Sequence, residues 1–121
     1  ALIRWRHPER GLIPPLEFIQ IAEQSSLINN IGDWVMNEVC RQIREWLDLG
    51  LHVPRVSINI SARHLRATNL SKTLNMTPAK YQIPPALVCI EITEHALLEE
   101  IEIVKENMQF IKEAGYQISL D

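Results

Sequence analysis

The chain is 121 residues long, 46% hydrophobic and 22% charged, which is the balance of an ordinary globular domain with enough chain for one core. Four Gly, seven Pro and 6% aromatics exclude collagen-like, low-complexity and disulfide-scaffold classes, and no apolar run approaches the roughly 18 to 20 residues of a membrane helix. The net charge of −3, from 12 Lys+Arg against 15 Asp+Glu with the basic residues scattered, leaves no electrostatic footprint for DNA or RNA. Cys40 and Cys89 sit in apolar periodic segments without metal-ligand spacing and read as small buried thiols of a reducing, cytoplasmic compartment. There is no initiator Met and no signal peptide. The chain opens in mid-pattern at Ala1, stops at Asp121 and is read as a piece of something longer, whose membrane anchor, if it has one, lies elsewhere.

In chain order, Ala1 to Trp5 reads as the end of a strand, and the polar HPERG that follows reads as a loop. Pro14-Pro15 opens a helix that runs to about Gln24, proline being suited to the first helical position. A second helix spans about Asn30 to Leu49 on the stripe Ile31, Val35, Val39, Ile43 and Trp46/Leu47, with Gly50 placed for a left-handed cap. Strict alternation over Arg55 to Ser61 predicts a strand. A helix around Leu70 to Lys80 is expected to be short, kinked or broken at Pro78, with Thr77 biased away from helical dihedrals. Leu87 to Thr93 is a strand, Glu99 to Ala114 a helix closed by Gly115, and Gln117 to Asp121 a last strand. Strands joined through helices cannot be hairpin neighbours, so this order predicts a parallel α/β sheet with no domain break.

Three strands then offer the same triplet: Ser57-Ile58-Asn59, Cys89-Ile90-Glu91 and Ser119-Leu120-Asp121. The period of two puts each oxygen donor on the face opposite the aliphatics. A row of polar groups inside a covered parallel sheet is expensive unless it lines a site, and the C-terminal rim of an α/β barrel is such a place. Two carboxylates and an amide are hard oxygen ligands that favour Mg²⁺, Mn²⁺ or Ca²⁺ over Zn²⁺. The alternative at this point is that Asn59, Glu91 and Asp121 are strand-end polar residues that cap helices or face water.

The segments ALIRWRHPERGLI at the start, SINISARHL at 57–65, IEITEHALLE at 90–99 and the terminal ISLD occur in an order and spacing that resemble the EAL domain family of cyclic di-GMP phosphodiesterases. The resemblance covers essentially the whole chain. It implies a partial (β/α)8 TIM-like barrel, about half of it present, as a single partial domain over 1–121 that starts inside the Glu-Ala-Leu motif and ends at the first Asp of the Asp-Asp-Phe-Gly-Thr-Gly-like segment. On this resemblance Ala1 and Leu2 are the last two letters of the triplet. Arg4 matches the Arg that contacts a substrate phosphate, and Asn59, Glu91 and Asp121 match metal ligands. Glu94 matches the second Glu of the E-[IL]-T-E motif, which steadies a neighbouring loop, although a helix-start or capping role suits it nearly as well.

The activity implied is two-metal hydrolysis, with Mg²⁺ or Mn²⁺, of one phosphodiester of cyclic di-GMP to linear pGpG. The runner-up is a catalytically degenerate module that binds cyclic di-GMP or a protein partner as a receptor. A third reading, an unrelated doubly wound binding domain, would need a Gly-rich phosphate loop that the sequence lacks. The 121 residues alone are expected to be inactive and to form a homodimer or otherwise self-associate; whether the parent carries a diguanylate-cyclase or sensory domain is left open by the sequence. His7, His64 and His95 stand beside motifs without a visible partner and read as exposed or as supports behind the ligands, while His52 lies in a connecting loop. Trp5, Trp34 and Trp46 read as packing residues, with Trp5 near enough to Arg4 to line the pocket.

Overall fold

The computed structural model describes residues 1–98 and 101–121. Its centre is a three-stranded parallel sheet in sequential order, β3 (Val56–Asn59), β4 (Val88–Ile92) and β5 (Gln117–Leu120). Val88, Ile90 and Ile92 are fully buried, as alternating aliphatics on a covered face require. Three long helices supply the cover: α2 (Leu27–Asp48), α4 (Leu70–Tyr81) and α6 (Glu102–Glu113). Met36, Val39, Cys40 and Ile43 of α2, Leu70 and Leu74 of α4, and Val104 and Ile111 of α6 form one core with the strands. Both cysteines are buried and free, and burial pushes the Cys40 thiol up to about 12. No helix among the described residues is long and apolar enough to cross a membrane.

The first expected strand is replaced by something else. Residues 1–4 are not in a strand, although the Ala1 amino nitrogen donates to the Ser57 carbonyl at 2.6 Å and so runs beside β3. Pairing occurs instead within an antiparallel hairpin of β1 (Trp5–His7) and β2 (Gly11–Ile13). The HPERG segment is its turn, closed by Gly11 at φ +70° and by the His7 ring, whose Nδ1 accepts from the backbone N–H groups of Glu9 and Arg10.

Pro15 starts α1 (Pro15–Glu23) as expected, while α2 begins three residues before the predicted Asn30. Gly50 follows α2 at φ +75° and donates its N–H to the Leu47 carbonyl. Two four-residue helices lie directly after strands: α3 (Ala62–Leu65), capped by the Ser61 hydroxyl, and α5 (Glu94–Leu97), capped by Thr93. A single 3₁₀ turn (Pro85–Leu87) precedes β4. The predicted start of the last helix at Glu99 lies outside the described residues. Its end is as expected, with Gly115 at φ +97°.

The expected break at Pro78 does not occur. α4 is continuous through Thr77 and Pro78 to Tyr81 and ends at Gln82, whose φ of +53° closes the helix with bonds from the Gln82 and Ile83 N–H groups to the Ala79 and Pro78 carbonyls. Proline at 78 deprives the Leu74 carbonyl of its helical donor, and the buried Tyr116 hydroxyl, just before β5, supplies the missing hydrogen bond. Tertiary structure therefore meets the local cost that the sequence alone assigns to a broken helix.

Candidate active site

β3 and β4 pair with Asn59 opposite Glu91, so the amide and the first carboxylate stand in one rank at the C-terminal ends of adjacent strands. The link continues just beyond the strand, where the Ile60 N–H donates to the Glu91 carbonyl at 3.0 Å. β5 is staggered: Glu91 faces Ser119, not Asp121, and Ile92 faces Leu120. Asp121 thus stands one period of two further along, on the same face as Glu91, held by its N–H to the Ile92 carbonyl at 2.9 Å. The three triplets share a face but not a single rank, and a stagger between neighbouring strands is what a closing barrel demands.

A cleft of about 320 Å³ opens at this end of the sheet, and Arg4, Asn59, Glu91 and Asp121 all line it. An apolar wall that includes Ile19, Ile28, Ile31 and Ile60 completes it, and Gly32 and His64 also line it. No hydrogen bond or ion pair among the described residues engages the side chains of Asn59, Glu91 or Asp121, so their oxygens are available to a ligand. Arg4 donates Nη1 to the Ile3 carbonyl and lines both the cleft and the neighbouring apolar groove. Among the described residues, no three His, Cys, Asp or Glu side chains gather as a metal cluster. The donor set is two carboxylates and an amide, all hard oxygens; it suits Mg²⁺ or Mn²⁺ chemically and leaves room for water and phosphate to complete a coordination sphere.

A family model described as the EAL domain matches residues 1–121, the whole chain. The chain belongs to the EAL domain family. It is 40% identical over 121 residues to the cyclic di-GMP phosphodiesterase PdeR of Escherichia coli (strain K12), of which it covers 18%. It is 33% identical to the bifunctional diguanylate cyclase/cyclic di-GMP phosphodiesterase MucR of Pseudomonas aeruginosa, again covering 18%. Among solved structures, the PaMucR phosphodiesterase in its c-di-GMP complex superposes with a TM-score of 0.92 at 33% identity, over all of this chain and 49% of that one. The FimX EAL domain from Pseudomonas aeruginosa bound to c-di-GMP has a TM-score of 0.86 at 21% identity and attests the fold alone. The chain therefore spans less than a fifth of these curated relatives and about half of the solved EAL domains, and its sheet and helices are part of a TIM-barrel-like domain.

Within this EAL chain the other expected residues have definite places. Glu94 is exposed at the first position of α5 and outside the cleft; what joins it to β5 is its backbone N–H, 3.3 Å from the Asp121 carbonyl. His7 serves the hairpin turn and His95 is exposed. His64 departs from an exposed position altogether: it is 3% exposed, and its Nε2 lies 3.0 Å from Asp33 Oδ1 on α2. Burial pushes the imidazole below its ordinary range, against the opposing pull of Asp33. Trp46 packs on the core, but Trp5 and Trp34 line a separate apolar groove of about 550 Å³ between the hairpin and α1–α2, which shares Ile3, Arg4 and Ile31 with the cleft. Sequence reasoning missed the His64–Asp33 pair and Asn107, a buried α6 side chain whose Nδ2 donates to the Leu65 and Ala67 carbonyls. The visible signal for the first was a glycine, Gly32, in the second turn of a long amphipathic helix.

Proposed function

We propose that this chain is part of the catalytic domain of a metal-dependent phosphodiesterase that hydrolyses cyclic di-GMP to linear pGpG. The observation that carries the reading is the convergence of Asn59, Glu91, Asp121 and Arg4 on one cleft at the C-terminal end of a parallel sheet, where α/β barrels place their chemistry. Identity to PdeR, a cyclic di-GMP phosphodiesterase, supports the choice of substrate. Asn59, Glu91 and Asp121 would hold divalent cations through their side-chain oxygens. Such cations, when bound, would lower the pKa of a water and offset the negative charge on the phosphoryl, attacking and leaving oxygens of an in-line displacement. Arg4 binds a phosphate through its planar fork and orients the diester over the carboxylates. The isoleucine wall excludes bulk water and strengthens each of these interactions. Roughly half of the domain is present in these 121 residues, so the chain by itself is expected not to turn over.

Variants in the intact protein test the assignment. Asn59→Ala and Glu91→Ala should each reduce Mn²⁺ binding and hydrolysis to near background while leaving the melting temperature close to wild type, since each removes a rim ligand and no packing group. Arg4→Ala should raise KM for cyclic di-GMP and leave Mn²⁺ affinity unchanged. Wild-type turnover in either ligand variant would remove Asn59 or Glu91 from the metal site, and an equal loss of metal and substrate binding in Arg4→Ala would remove its phosphate role.

A further inference from the structure

Asn59 is the last residue of β3, and only Ile60 and Ser61 separate it from α3. A helix of four residues does not hold itself in water, so its orientation depends on outside contacts. On the cleft side that contact is His64, the third residue of α3, whose N–H donates to Ser61 Oγ at 3.0 Å and whose buried ring meets Asp33 on α2. The ring stands so close over Gly32 that a Cβ there would collide with Nδ1 and Cε1. Gly32 and His64 line the same cleft as Asn59 and Glu91. His64 is buried while Asp33 is one-third exposed, so the pair contributes less through net stability than through the single geometry its hydrogen bond requires.

We infer that Gly32, Asp33 and His64 form a positioning device that seats α3 on α2 and thereby sets the direction in which Asn59 presents its amide oxygen to the cleft. His64 and Asp33 are positioning residues and supply no ligand atom themselves. They act through the Ile60–Ser61 link, whose other side is tied to β4 by the Ile60–Glu91 bond. The device shares no residue with Arg4 and its contacts lead to Asn59, so it governs ligand geometry and not substrate affinity. The inference rests on the reading of Asn59 as a cation ligand.

The test uses the intact protein, with Mn²⁺ alone titrated by calorimetry and cyclic di-GMP hydrolysis followed at steady state. Asp33→Ala and His64→Leu should each weaken Mn²⁺ binding and lower kcat by about 10-fold or more with KM little changed, the scale at which supports behind metal ligands act. His64→Gln, whose amide N–H reaches the same carboxylate, should restore both to within about threefold of wild type. Unchanged Mn²⁺ affinity in Asp33→Ala, or His64→Gln as impaired as His64→Leu, overturns the positioning role. Asp33 is one-third exposed, so its variant folds and decides the matter even if His64→Leu does not fold. Asn59→Ala separates the two failures: if it binds Mn²⁺ like wild type, the ligand reading falls and the device with it, whereas if it loses Mn²⁺ while Asp33→Ala keeps it, only the device falls.

Discussion

Gly32 occupies a helix-interior position where glycine costs about 1 kcal/mol relative to alanine, and the His64 ring is the reason it is there. The two residues make opposite demands on a substitution. Propensity alone predicts that Gly32→Ala stabilises α2; the collision with a buried ring predicts that it destabilises the domain by about 1–3 kcal/mol, the usual penalty of overpacking. Steric exclusion wins here because the ring is held by Asp33 and cannot swing away. Melting of Gly32→Ala should therefore show a loss, and adding His64→Ala should convert it into a gain over His64→Ala alone. A stabilised Gly32→Ala single variant would mean that the ring has room. Gly32 is the one trace of this in the residue types; the pairing itself is not legible, because Asp33 and His64 are 31 positions apart and share no recognisable motif.

At the scale of elements, the parts that can be read from sequence are those whose signal is local. The alternation of Val56, Ile58 and Ile60, the buried run of Val88, Ile90 and Ile92, and the stripe of α2 each repeat with the period of the structure they form. The hairpin is not readable in that way, since three-residue strands hold too few alternations to show a period. Pro78 gives the opposite lesson: the local rule is sound, but its cost is met by Tyr116, whose hydroxyl bonds the Leu74 carbonyl 42 residues away. Tyr116→Phe should leave the Leu74 carbonyl without its donor and cost about 1–3 kcal/mol. In a Pro78→Ala background, where a backbone N–H is restored to bond Leu74, the same substitution should cost distinctly less. A double-mutant cycle by urea unfolding measures this coupling, and additive losses would contradict it. The rank of the three oxygen donors was likewise only half legible: the period of two places Asn59, Glu91 and Asp121 on one face, while the stagger of β5 is a property of pairing that no single strand reveals.

For the molecule as a whole, the three-stranded sheet ends at β5 without a further strand among the described residues, and Leu120 at its rim is 56% exposed. The groove beside the hairpin adds Trp5, Ile21, Leu27 and Trp34 as exposed apolar surface. Unpaired strand edges and contiguous apolar patches drive association, so the 121-residue chain studied alone should form dimers or larger species. Light scattering after size exclusion checks this, and a monodisperse monomer at micromolar concentration would contradict it. The central claim concerns the cleft those strands build. Its most direct measurement is the conversion of cyclic di-GMP to pGpG by the intact protein with Mn²⁺, with chelator, and with Glu91→Ala. The expected result is turnover with Mn²⁺ alone, abolished by chelator and by Glu91→Ala; turnover that survives both would contradict a metal-dependent site at Asn59, Glu91 and Asp121.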